Sequence, residues 1–120
     1  MNILGVDYGK KRIGLSWSST DLDLVLAFGI ASNIDELISI IKKEKIAKIV
    51  FGLPFDLGGE ENEKTKQIRD IAEKIKNILS TIEIDFQNES FSTAEAKKIP
   101  GDASIDEKAA IVILRDYLKK

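Results

Sequence analysis

Hydrophobic and polar positions alternate at the start of the chain in the two-residue rhythm of β-strands. Residues 2–8 (NILGVDY) and 11–18 (KRIGLSWS) read as two strands joined at Gly9-Lys10, a hairpin signal. In the second, Ile13, Leu15 and Trp17 alternate with Gly14, Ser16 and Ser18, the pattern of a strand with one buried face. Residues 24–31 (LVLAFGIA) predict a third strand closing a meander. The period then lengthens. Leu37, Ile38, Ile41 and Lys45 fall on one side of a helix opened by Asn33 or Asp35. "KIVFGLP", residues 48–54, is a short continuous apolar run, as in strands covered on both faces. In a charged stretch over about 60–80, Ile68, Ile71, Ala72, Ile75, Ile78 and Leu79 recur at three- and four-residue spacing and predict a helix. "EIDFQN", 83–88, reads as the last strand. A short helix starts at Ser92 and is broken by Pro100-Gly101. A final one over about 104–118 turns Ala109, Ala110, Ile113, Leu114 and Tyr117 inward.

The element order βββαβαβαα predicts an α/β protein. Its sheet is mixed and five-stranded, an antiparallel meander plus two parallel strands, with helices on both faces. A chain of 120 residues, 43% of them hydrophobic, suits one packed domain over 1–120. The first strand and strand 83–88 are expected to run parallel through the middle of the sheet. Ligand sites on such sheets lie beyond the C-terminal ends of parallel strands, which is where Asp7 stands.

Composition narrows the chemistry. Cysteine and histidine are both absent. That excludes disulfides, thiolate and imidazole metal sites, and triads built on histidine. The net charge of −2 argues against an overall basic nucleic-acid binder but leaves local basic patches open. With no secretory leader pattern and no apolar run of membrane-spanning length, the expected compartment is the cytoplasm.

Three acids are the candidates for catalysis and metal binding. Asp7 ends a buried strand, where an acid costs desolvation unless something satisfies it. Glu89 follows strand 83–88, and Asp106 opens the last helix. Brought together, three carboxylates suit hard cations such as Mg²⁺ or Mn²⁺, and a pair of such ions can promote in-line phosphodiester displacement. Each of the two later acids also has a plainer reading. Asp106 lies in "SIDE", where Ser104 and Glu107 form a capping box and the helix dipole favours an acid. Glu89 reads equally as a loop acid. Lys10, Lys11 and Arg12 beside Asp7, and Lys97-Lys98 before the Pro-Gly break, are candidate phosphate contacts or simply solvated turn lysines. The Asp-x-Gly opening also occurs in actin–hexokinase-like ATPases, but those close two such domains over a nucleotide.

The constellation resembles the YqgF/RuvX family, proposed pre-16S rRNA nucleases also described as Holliday-junction-resolvase-like proteins. "GVDYGKKRIG" is similar to that family's opening stretch, and "IVFGLP" with "DLGGEE" to its V-G-L-P segment and following loop. "NESFSTAEA" matches D-E-R-L-[ST]-T-x-E-A in part, and "IDEKAAIVILRDYL" resembles the final helix. The resemblance implies an RNase H-like fold, with Asp7, Glu89 and Asp106 as the proposed catalytic metal site for Mg²⁺ or Mn²⁺. It implies a metal-dependent nuclease processing the 5′ end of pre-16S rRNA. The alternatives are a resolvase on branched DNA and a catalytically weak nucleic-acid-binding adaptor in ribosome assembly. Partners would be structured RNA or branched DNA and ribosomal precursor particles, without a membrane, the protein acting as monomer or homodimer. The chain departs from the family pattern at Asn88 and Ser90, which flank Glu89 where D-E-R is usual. It also has Ser104 in place of a basic residue, and a short 96–105 loop.

Overall fold

A computed structural model describes residues 1–55, 58–89 and 92–119. The strands are β1 (Asn2–Tyr8), β2 (Ile13–Ser19), β3 (Leu26–Ala31), β4 (Ile46–Leu53) and β5 (Glu83–Asn88). The helices are α1 (Ile34–Lys43), α2 (Glu63–Ile78), α3 (Ser92–Ala96) and α4 (Ile105–Leu118). One five-stranded sheet has the order β3-β2-β1-β4-β5. β1, β2 and β3 form the antiparallel meander, while β4 runs parallel to both β1 and β5.

The alternation in the strands decides the layers. Leu4, Val6, Ile13, Leu15, Ile49, Phe51 and Leu53 point to one face and bury against Leu37, Ile38 and Ile41 of α1 and Ile68, Ala72 and Ile75 of α2. Ile3 and Val50 point to the other and meet Ile111, Ile113 and Leu114 of α4. β4 is thus covered on both sides, as its unbroken apolar run requires. Each fully buried Leu or Ile contributes roughly 1.5–3 kcal/mol relative to exposure. Among the described residues no helix is long and apolar enough to cross a membrane.

On the α4 face the sheet is paved with small residues, Gly14, Ser16 and Gly52 among them, and α4 comes down close to the backbone. Buried Ser16 donates its hydroxyl to the Ala110 carbonyl at 2.6 Å, giving that polar group a partner inside the layer. The ends of the helices are set by side-chain caps. Asn33, not Asp35, caps α1 by accepting the Glu36 N–H. Asn62 and Thr65 form a capping box on α2, and the Thr65 hydroxyl also donates to the Pro54 carbonyl at 2.5 Å, tying α2 to the end of β4. Ser104 and Glu107 form the expected box on α4.

Four expectations are corrected. β2 begins at Ile13 rather than residue 11, because Gly9 to Arg12 make a four-residue connection closed by Gly9 N–H to Arg12 O at 3.0 Å. β5 lies at the edge of the sheet and not in its middle, since β4 inserts between it and β1. Lys45 does not extend the inner side of α1. The helix ends at Lys43, and Lys45 takes a left-handed φ of 53° and is exposed. Ile78, expected on the inner face of α2, is 50% exposed at its last turn.

Candidate active site

Asp7 is the second-to-last residue of β1 and faces the α4 side of the sheet, directly across the β1–β2 ladder from Gly14. Gly14 carries no side chain because α4 starts there. A Cβ at this position would stand 2.0 Å from the Asp106 carbonyl oxygen and 2.9 Å from the Asp106 Cβ. The missing side chain therefore lets the second residue of α4 come in beside Asp7. Glu89 arrives from the opposite side. Its N–H donates to the Leu53 carbonyl at 2.9 Å, prolonging the β4–β5 ladder by one step. Beneath it Gly52 makes room for Ile113 of α4, whose side chain a Cβ there would meet at 2.4 Å, while Glu89 Cβ would lie in ordinary contact at 3.5 Å.

The three acids line one cleft of about 340 Å³ at the C-terminal ends of the parallel strands. Lys64, from the first turn of α2, shares it, and Ile68 and Ile113 supply apolar wall. Larger hollows, of about 410 Å³ between α2 and β5 and about 510 Å³ beside α3, contain none of the three acids.

The cleft is under electrostatic load. Burial pushes the Asp7 carboxyl above its ordinary range; Lys64 partly opposes this and Asp106 adds to it. Burial, followed by the charges of Asp116, Glu95 and Asp7, pushes Glu89 up to about 7. Glu89 Oε2 is buried without a hydrogen-bond partner among the described residues. Asp106 has found a counter-charge, for Arg12 donates its Nε–H to Asp106 Oδ2 at 2.9 Å. Among the described residues no three acids stand close enough to hold a metal ion as they are. Shared occupancy of one cleft is therefore as far as the expected convergence goes. Like charges keep the carboxylates apart, and Asp106 is drawn to Arg12.

The donor chemistry nevertheless fits a hard divalent cation. All candidate ligands are carboxylate oxygens, and a buried carboxylate oxygen lacking a donor is the kind of group an ion satisfies.

The basic residues divide. Lys10 and Lys11 are exposed in the β1–β2 connection, next to Gly9 in the cleft wall. Lys97 and Lys98 lie in the turn after α3, where Lys98 borders the hollow beside that helix and not the cleft. Ser90 falls outside the described residues. Lys64 is the cleft residue that sequence reading passed over. The signal was present: Lys64 continues the stripe of Ile68, Ala72 and Ile75 by one turn, at the end of α2 nearest the strand ends.

A meander followed by two parallel strands, with acids at the C-terminal ends of β1 and β5 and at the start of α4, defines an RNase H-like protein. Solved structures agree on the fold. The chain matches RuvC from Thermus thermophilus with a TM-score of 0.63 and 9% identity, covering 99% of this chain and 95% of that one. It matches a T. thermophilus RuvC complex with Holliday junction substrate with a TM-score of 0.65, 8% identity and the same coverage. The family model for RuvX, described as Holliday junction resolvase, matches residues 1–120, and the chain belongs to this YqgF/RuvX family. Relatives named "Putative pre-16S rRNA nuclease" include one from Dictyoglomus turgidum, 34% identical over 98% of this chain and 94% of its own length. Another, from Sulfurihydrogenibium, is 36% identical over 98% of this chain and 90% of its own length.

Proposed function

We propose that this protein is a divalent-metal-dependent nuclease that trims the 5′ end of a 16S rRNA precursor during ribosome assembly. The observation that carries the reading is the gathering of Asp7, Glu89 and Asp106 in one cleft, with Glu89 Oε2 buried and without a partner among the described residues. Family membership and the names of the relatives support the same class of reaction and point to the RNA substrate.

Asp7, Glu89 and Asp106 would hold Mg²⁺ or Mn²⁺. An ion there supplies Lewis-acid stabilisation of charge developing on the phosphodiester and lowers the pKa of the attacking water. The remaining work falls to the chain itself. Glu89, pushed up to about 7, is only partly ionised near neutral pH and would have to be deprotonated to serve as a ligand. Lys64 offsets part of the negative charge that Asp7 and Asp106 concentrate. Ile68 and Ile113 keep the inner wall apolar, which strengthens every charge interaction in the cleft. Lys10 and Lys11, exposed in the adjoining connection, are placed to meet backbone phosphates.

The test is a cleavage assay on an RNA carrying the extended 5′ end of 16S rRNA, with a four-way DNA junction in parallel, in Mg²⁺, Mn²⁺ and EDTA. Metal-dependent shortening of the RNA is expected. Cleavage of the junction alone transfers the proposal to branched DNA, and cleavage undiminished in EDTA ends the metal reading.

A further inference from the structure

Arg12 and Asp106 are 94 residues apart in the chain and joined by a single contact between Nε and Oδ2 at 2.9 Å. Their backbones are pinned independently. The Arg12 carbonyl accepts the Gly9 N–H, and the Asp106 backbone is seated against Gly14. The pair can therefore part by side-chain rotation with both backbones in place. That rotation is easy, because the side chains are 60% and 26% exposed and an ion pair this open to water is weakly held.

Asp106 also lines the cleft that holds Asp7 and Glu89. A guanidinium and a divalent cation compete for the same carboxylate, and here the guanidinium is in place while the acids stop short of a cation-holding group. Resting on the metal-site reading above, we propose that Arg12 is a positioning residue. It is an internal counter-ion that holds Asp106 towards the β1–β2 connection, yields it when a divalent cation enters, and is then free beside the cleft to meet a substrate phosphate. Arginine suits the second task, since its planar fork matches phosphate oxygens as well as it matches a carboxylate.

The proposal is tested without turnover, by titrating the full-length protein with Mn²⁺ in a calorimeter. Wild type is compared with Asp7→Asn, Arg12→Gln, Arg12→Lys and Lys10→Gln. Removing the competitor in Arg12→Gln should tighten Mn²⁺ binding about threefold, the worth of a part-exposed ion pair. Arg12→Lys should fall between that variant and wild type. Lys10→Gln removes the same charge from the same connection and should change the affinity less. An Arg12→Gln affinity equal to or weaker than wild type overturns the proposal, as does an equal gain in Lys10→Gln, which would mean a general charge effect. If wild type shows no Mn²⁺ site, or one that survives in Asp7→Asn, the metal reading itself falls and takes this inference with it. A site lost in Asp7→Asn but unchanged in Arg12→Gln removes the inference alone.

Discussion

Gly14 and Asp106 occupy one space. The backbone of the first residue in β2 to face α4 touches the backbone of the second residue of that helix, with no room for a methyl group between them. Gly14 is also the cross-strand partner of Asp7, so this contact sets the approach of two of the three acids. A residue with no side chain thereby lets two carboxylates share one cleft.

Gly14→Ala should consequently lift the start of α4 from the sheet. Overpacking of this kind costs about 1–3 kcal/mol, to be read as a lower urea midpoint with unchanged slope. Mn²⁺ affinity should fall with it, because Asp106 moves while Asp7 stays. A Gly14→Ala protein of wild-type stability would show that α4 is seated differently.

Asp7→Asn keeps the shape and removes a proposed metal ligand. Cleavage should drop by at least about 100-fold, since changes merely behind a metal ligand already cost 10–100-fold. The fold should survive intact or gain stability, because burial makes the charge at this position costly. Wild-type cleavage by the variant would remove Asp7 from the site.

The pH dependence of stability follows from Glu89. Its carboxyl lies near 7 when folded against an ordinary value of 4.5. Between these limits the folded chain keeps a proton that the unfolded chain has released. The associated stability is fully present below about 4.5, is lost as pH rises to about 7, and changes little above that. The raised Asp7 acts in the same direction. Glu89→Gln should flatten this dependence and stabilise the metal-free protein at pH 8 by up to ~3 kcal/mol, while cleavage is lost. Urea unfolding of both proteins in EDTA at pH 5 and pH 8 measures it. A wild type that is more stable at the higher pH would contradict the assignment.

Ser104→Ala removes the N-cap hydroxyl of α4, which accepts the Glu107 N–H and donates to Glu107 Oε1, while the backbone N–H of residue 104 and that of Gly29 still reach the Glu107 carboxylate. Loss of such a cap costs about 1 kcal/mol, visible as a lowered thermal midpoint. Asp106 sits in the first turn of the same helix, so weaker Mn²⁺ binding should accompany it. A change in stability with no change in binding would mean that the cap and the site are uncoupled.

Much of this protein was legible in its residues taken one stretch at a time. The alternation of Ile13, Leu15 and Trp17, the apolar run of β4, the spacing of Ile68, Ala72 and Ile75, and the Ser104–Glu107 box each specify an element through contacts within a few residues. Strand ends and a helix start also singled out Asp7, Glu89 and Asp106. The tertiary structure alone decided that β4 separates β1 from β5, that Arg12 pairs with Asp106, and that Lys64 joins the cleft. It also decided that Glu89 lies within the fields of Glu95 and Asp116 as well as Asp7. Periodicity and caps are short-range properties, written in neighbouring side chains. Which charges face one another depends on how closely layers pack, and here that closeness was set by positions such as Gly14 and Gly52, where the side chain is missing.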